Sequence, residues 1–334
     1  MGARKTKAFE LETSFESADL ILIPAPWSAT VSYGRGTEQG PDLIRKASHQ
    51  LDVFNPLFQC SYNDKIHFEE NDPIIESLNK QALSWVKSLR EDKQNSQSLY
   101  TNINQASESL LDWVYEKALQ AFNQNKIPAL VGGEHSVSEG LLSLIGDKYK
   151  GDYGILHLDA HADLRPAYQG FKHSHASVMF NVLNLEQAPK KLVQVAVRDL
   201  CESEYRKIEK DERIHCYFDK EIYTKIFLGE KWAGICQEII SQLPQHIYVS
   251  LDVDGLSWSY APGTGTPVPG GLSFNQVLYL LAEIKRQNKK LISFDVVETS
   301  AGNKNQSFLE WNGNVSARLI YYLSGLTLHS YGKI

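Results

Sequence analysis

The sequence predicts an α/β fold, a mainly parallel β-sheet with helices packed on it. Six short apolar, β-branched runs recur along the chain, at residues 20–24 (LILIP), 127–131 (IPALV), 153–158 (YGILHL), 192–197 (LVQVAV), 246–251 (HIYVSL) and 290–297 (KLISFDVV). Segments of helical length separate them, and strands alternating with helices form βαβ units. The runs hold few polar residues, as strands of a sheet covered on both faces require.

Taken in order, the run at 20–24 leads into PAPW rather than a glycine fingerprint, so a dinucleotide-dependent α/β enzyme finds no support at the first strand. Residues 56–104 are polar and irregular, with DKQNSQS at 92–98; they read as an excursion or insertion containing a helix around 75–89. Residues 105–124 place apolar side chains at three- and four-residue spacing, the mark of an amphipathic helix, and 274–287 (FNQVLYLLAEIKRQ) do the same. No internal repeat, low-complexity tract or linker interrupts the pattern. We therefore expect a single domain over 1–334.

Composition narrows the function classes. The 334 residues are 42% hydrophobic and 22% charged, with a net charge of -6. That balance does not suit a nucleic-acid binder, which carries a basic excess. Cys60, Cys201, Cys216 and Cys236 form no CxxC pair, so reduced, mostly buried thiols are expected. No apolar stretch has the length of a membrane span. The start, MGARKTKAFELE, lacks the apolar core of a signal peptide. It matches the loose N-myristoylation pattern at Gly2 and Thr6, which is short and common by chance. A cytoplasmic protein is expected.

The ends of the apolar runs carry the chemistry. The run at 127–131 enters GGEHS, that at 153–158 enters DAHAD, that at 246–251 enters DVDG, and that at 290–297 enters Glu298. In an open parallel sheet, ligand sites form beyond the carboxyl ends of the strands. One region would then collect His135, Asp159, His161, Asp163, Asp252, Asp254 and Glu298. Any one of these motifs alone could be a turn, a helix cap or a surface ion pair. Three segments with ligand-type residues directly behind an apolar strand argue for a shared site. Asp159, His161 and Asp163 alternate, as do Asp252 and Asp254, which puts them on one side of an extended backbone. Four aspartates in one cleft repel without cations. With two imidazoles they could hold two divalent metals, and oxygen-rich ligation favours Mn²⁺, with Ni²⁺, Co²⁺ and Fe²⁺ as alternatives. Two such metals can share a water and lower its pKa.

These motifs resemble the ureohydrolase (arginase/agmatinase) family. The segments are Gly132–Ser136 (GGEHS), 159–163 (DAHAD), 250–254 (SLDVD), 261–271 (APGTGTPVPGG) and 32–48 (SYGRGTEQGPDLIRKAS). The resemblance implies a three-layer αβα sandwich and a binuclear manganese site. His135, Asp159, Asp163 and Asp252 would bind one ion, and Asp159, His161, Asp252 and Asp254 the other. It also implies hydrolysis of a guanidino C–N bond to urea and an amine. Asp163 then counts among the catalytic residues as well as the ligands. Glu298 would contact the guanidinium, which pairs with a carboxylate through two hydrogen bonds. His175, in GFKHSHAS, would be the proton donor, since an imidazole titrates near neutral pH; His173 is its neighbouring competitor. Arg165 and Arg198 are expected to orient loops. The glycines of 263–271 would let that loop approach the metals, and Trp27 and Tyr33 either line the mouth or pack in the core.

The pattern departs from the family after Asp254, where Leu256-Ser257-Trp258 replaces LDP, and after Glu298, where residues 299–302 read TSAG. Substrate selection is expected there, with Trp258 adding bulk. The stretch LRPAYQGFKHSHAS looks agmatinase-like, so agmatine is the expected substrate, which places the chain in polyamine metabolism. Arginine, guanidinobutyrate, guanidine and formimidoylglutamate are the alternatives, as is a metal-binding but non-catalytic regulatory subunit. A small guanidino partner, no nucleic acid, no membrane and a homo-oligomer, trimer or hexamer, complete the expectation.

Overall fold

The computed structural model describes residues 8–91, 96–300, 302 and 309–334; the N-myristoylation pattern at Gly2 and Thr6 lies outside them. Eight strands form one sheet: β1 Leu20–Ala25, β2 Ile66–Phe68, β3 Ile127–Gly132, β4 Gly154–Leu158, β5 Lys191–Val197, β6 Ile214–Phe218, β7 His246–Asp252 and β8 Lys290–Val297. Their order is β2-β1-β3-β8-β7-β4-β5-β6, and the pairings are parallel. All six apolar runs are strands. The short edge strands β2 and β6 are additions that the sequence pattern did not reveal.

Strand alternation sends neighbouring side chains into two separate cores. Leu20, Leu22, Val249 and Leu251 pack under α1 Gly40–Ser48, α8 Trp232–Ser241, α9 Phe274–Arg286 and α10 Leu309–Ser330. Ile21, Ile23, Leu130 and Ile155 pack under α2 Pro73–Glu91, α3 Ser96–Asn123, α4 Ser138–Tyr149 and α5 Val178–Leu183. The fold is the three-layer αβα sandwich expected. Two further helices, α6 Glu202–Lys210 and α7 Asp219–Phe227, flank β6. Local chemistry sets the boundaries. Ser273 and Gln276 form a reciprocal capping box that starts α9, and Lys150 closes α4 in the left-handed conformation. The polar stretch 56–104 supplies β2, α2 and the first turns of α3, and so belongs to the sandwich itself. The four cysteines are free; Cys236 is buried and the other three partly so. Among the described residues no helix is long and apolar enough to cross a membrane.

Strand order has a direct consequence for the site. The four strands whose ends carry the ligand-type residues, β3, β8, β7 and β4, lie consecutively in the middle of the sheet. Being parallel, they deliver those residues to one edge.

Gly133 holds the first of these ends in place. Its N–H donates to Ala25 O at 2.8 Å, and its carbonyl accepts from Glu298 N at 2.8 Å. A Cβ there would lie 1.9 Å from the Trp27 carbonyl oxygen. Gly133→Ala should therefore destabilise the fold by roughly 3 kcal/mol, the upper end for overpacking. A urea-unfolding midpoint equal to wild type would show that the β1 and β3 ends are not locked together in this way.

Candidate metal centre and cleft

Each ligand-type residue sits at or just beyond a strand end. His135 opens a 3₁₀ turn behind β3. Asp159 follows β4, with His161 and Asp163 in the loop after it. Asp252 ends β7 and caps the 3₁₀ turn that holds Asp254, accepting the Asp254 N–H at 2.8 Å. All are buried except His161, which is partly exposed.

The side chains converge on two points. His135 Nδ1 lies 3.0 Å from Asp163 Oδ2, 3.1 Å from Asp159 Oδ2 and 3.6 Å from Asp252 Oδ2. His161 Nδ1 lies 3.1 Å from Asp254 Oδ2 and 3.3 Å from Asp159 Oδ1. Asp159 thus turns one oxygen to each imidazole, the arrangement of a bridging carboxylate. Asp252 presents one oxygen to the His135 group, while its other oxygen takes the Asp254 N–H.

The protons around His135 show that these residues fit a cation. Its Nε2 lies 2.8 Å from Ser250 Oγ, and Ser250 Oγ donates to Asp295 Oδ1 at 3.0 Å. With its one proton committed to Asp295, Ser250 can only accept from His135 Nε2–H. The Nδ1 of the neutral ring is then a bare lone pair. It is buried without a hydrogen-bond partner and faces three carboxylate oxygens. Such a cluster needs positive charge at its centre. Without a metal a proton takes that place: burial disfavours the charged ring, but Asp159, Asp163 and Asp252 outweigh it and hold His135 well above its ordinary value. Two of the carboxylates show the same strain, while Asp159, despite its burial, is held well below the usual range among His157, His135 and His161. Burial, then the Asp159 charge, pushes Asp163 up to about 6. Burial, then Asp254 and Asp159, pushes Asp252 well up.

A second set of buried polar groups orients the first. Tyr248 OH donates to Asp295 Oδ2 at 2.7 Å, completing the chain Tyr248–Asp295–Ser250–His135. Gln194 Nε2 of β5 donates to His157 Nδ1 of β4 at 2.9 Å, which leaves the proton on His157 Nε2, 2.9 Å from Asp159 Oδ2. His157 lies within the ligand cluster, yet its protonated Nε2 makes it a donor that aims Asp159. Sequence reasoning passed over Tyr248, Ser250, Asp295 and His157. Their signal was present: polar side chains inside apolar strand runs need buried partners, and His157 and Ser250 stand two residues before Asp159 and Asp252, on the same strand face.

Beside the centre lies a cavity of about 250 Å³, walled by His161, Asp163, His175, Tyr33 and Asp199 among others. His175 is partly buried, with Nε2 3.3 Å from Ser32 Oγ. His173 is turned away and buried against Glu139, at 2.9 Å. Burial, then the charge on His161, pushes His175 down to about 4, below the near-neutral titration expected. Glu298 is not in this wall. It is buried, accepts the His135 N–H at 2.9 Å, and presses so closely on Gly265 that a Cβ there would lie 2.8 Å from Oε2. Burial, then neighbouring Glu134, holds its carboxyl well above the usual range. Asp163 and Glu298 both adopt left-handed backbone conformations, at φ 54° and 62°; aspartate tolerates this, but for Glu298 it costs roughly 1–2 kcal/mol and marks a site whose surroundings enforce its geometry.

Supporting residues fall as follows. Arg165 pairs with Glu204 at 3.3 Å. Arg198 donates to the carbonyls of Asp254 at 2.6 Å and Val268 at 3.0 Å, tying the DVDG turn to the glycine-rich loop. Trp27 is core, while Tyr33 is 82% exposed at the mouth. The two sequence departures lie elsewhere. Trp258 is half-exposed and forms no part of the cavity wall. Thr299 and Ser300 are buried behind Glu298, bonded to Ser316 Oγ at 2.7 Å and Arg35 O at 3.0 Å, and Ala301 lies outside the described residues.

A model of the arginase family matches residues 18–323. The chain belongs to the arginase family. It is 30% identical over 318 residues to an N(1)-aminopropylagmatine ureohydrolase of Thermus thermophilus, covering 95% of this chain and 93% of that protein. It is 26% identical over 288 residues to the agmatinase of Bacillus anthracis, covering 86% and 85%. Among solved structures, the agmatine ureohydrolase of Thermoplasma volcanium superposes with a TM-score of 0.73 at 22% identity, over 100% of this chain and 97% of that one. The arginase of Medicago truncatula gives 0.70 at 22%, over 93% and 88%. These structures share the fold. This arginase-family chain is a metal-dependent ureohydrolase, and its His/Asp cluster is compatible with the family's binuclear metal site.

The relay behind His135 is directly testable. Ser250→Ala should lower metal affinity roughly 10- to 100-fold, the usual effect of removing an outer-sphere partner, as measured by equilibrium dialysis. Unchanged affinity would mean that the relay does not orient the ring.

Proposed function

We propose that the chain hydrolyses the guanidino C–N bond of an amine-tailed guanidine, with agmatine the first candidate, to give urea and the free amine. The observation that carries this reading is the bare Nδ1 of His135 among three carboxylates, directly beside a cavity that His175 also walls. His135, Asp159, Asp163 and Asp252 would hold one Mn²⁺, and Asp159, His161, Asp252 and Asp254 the other. When bound, such a pair lowers the pKa of a water between the ions. The remaining work falls to the chain's own residues. Glu298, whose carboxylate accepts the His135 N–H behind the cavity wall, would meet the guanidinium only where the substrate reaches past that wall. Asp163 would help orient the nucleophile while serving as a ligand. His175, neutral at pH 7, would take up a proton in the cleft and pass it to the departing amine as the C–N bond breaks.

A second reading, the N1-aminopropyl derivative of agmatine, is favoured by the Thermus relative at 30% identity. It uses the same residues and the same bond. A single domain, supported by the continuous sheet, and a cytoplasmic homo-oligomer serving polyamine metabolism complete the reading.

Urea release by the manganese-loaded protein should be fastest on agmatine or its aminopropyl derivative, with arginine, guanidinobutyrate, guanidine and formimidoylglutamate slower. His175→Ala should lower kcat roughly 10²- to 10³-fold with metal content unchanged. Release of urea from none of these would instead favour a metal-binding, non-catalytic subunit. Full activity of His175→Ala would remove that residue from the mechanism.

A further inference from the structure

Asp199 follows β5 and sits beside the metal centre. Its backbone bridges His161, and its N–H donates to the Ala160 carbonyl at 3.0 Å. It walls the cavity, and its side chain is exposed. The other charged groups in that wall are already committed. His161 and Asp163 belong to the ligand cluster. Arg165 is paired with Glu204, whose two oxygens also accept Leu164 N at 3.1 Å and Cys201 N at 2.9 Å. Arg198, next in sequence, spends its donors on backbone carbonyls of 254, 268 and 269. Among the described residues, no ion pair or side-chain hydrogen bond reaches the Asp199 carboxylate. Among the described residues it is the one uncompensated charge of the cavity.

We propose that Asp199 is the subsite for an aliphatic ammonium carried on the same molecule as the guanidinium. This rests on the reading that the cavity takes an amine-tailed guanidino compound, and it names the side chain that receives the far end of that compound. The walls suit such a tail. The exposed Tyr33 offers a ring that attracts a cation, while the Tyr168 ring is already covered by the Arg165 guanidinium at 4.9 Å, and Pro267 and Val268 offer apolar surface for methylenes. A carboxylate tail meets the opposite situation. The cavity's only guanidinium among the described residues, Arg165, is held by Glu204, and Asp199 would repel the incoming anion. The site therefore selects amine-tailed guanidines over acid-tailed ones.

The test compares three guanidines that differ only at the tail: agmatine (ammonium), n-butylguanidine (methyl) and 4-guanidinobutyrate (carboxylate). Asp199→Asn should lower the agmatine-to-butylguanidine ratio of kcat/KM roughly 10- to 100-fold, the range for a charge-assisted contact, with the change carried in KM. Asp199→Glu should keep the agmatine preference, and Asp199→Lys should favour guanidinobutyrate. In parallel, calorimetric titration of the manganese-loaded protein with putrescine should show affinity at least about tenfold weaker in Asp199→Asn. If the variant loses agmatine and butylguanidine equally, or keeps the wild-type ratio and putrescine affinity, the subsite is wrong. If no guanidine is hydrolysed yet putrescine binding still depends on Asp199, the subsite stands and the proposed reaction falls.

Discussion

Asp159 divides its two oxygens between two imidazoles, 3.1 Å from His135 Nδ1 and 3.3 Å from His161 Nδ1, and the rest of the cleft is arranged around that shared carboxylate. Two like charges about 4 Å apart repel by about 4 kcal/mol at the effective dielectric of a protein site. Asp163, Asp252 and Asp254 stand close by, all buried. Such a group persists only if a compensating charge sits among its members. Protons can supply it in part, and the high value of Asp163 reflects this. Divalent cations supply it without neutralising the ligands.

The fold is what allows such a concentration. Four central parallel strands end at one edge, so no single segment carries more than part of the charge. The sheet interior then holds the supports. Tyr248, Ser250 and Asp295 sit on β7 and β8, directly beneath the ends that carry Asp252 and Glu298, and fix the His135 ring. His157 and Gln194 do the same for Asp159 from β4 and β5. Gly133 and Gly265 remove side chains where the loops must close on the site. Packing, polar satisfaction and chemistry are thus one problem with one solution.

The convergence of these side chains was readable because parallel strands share an exit edge, so a polar cluster behind an apolar run has a known destination. The parallel sheet with both faces covered was readable from the apolar runs, and the three-layer arrangement from the family resemblance. Other features were hidden by short range or by context. β2 and β6 are brief edge strands, Ile66–Phe68 and Ile214–Phe218, whose patterns do not stand out from loops. The left-handed backbone of Glu298 arises from tertiary enforcement, since glutamate does not favour that conformation, whereas aspartate at 163 tolerates it. The depressed value of His175 needs burial and the His161 charge, which no motif conveys. Substrate selection was expected from Trp258 and residues 299–302 because they differ from the family pattern, yet among the described residues neither segment walls the cavity. Asp199 does, and its significance emerges only when every other charge in the wall is seen to have a partner.

The most direct test of the binuclear reading is the metal-to-protein ratio, measured by elemental analysis after dialysis against Mn²⁺ and removal of free ion. Wild type should retain two ions per chain and Asp159→Ala, which removes the shared carboxylate, one or none. Retention of no metal by wild type, or of two ions by the folded Asp159→Ala variant, would contradict a centre built on that residue.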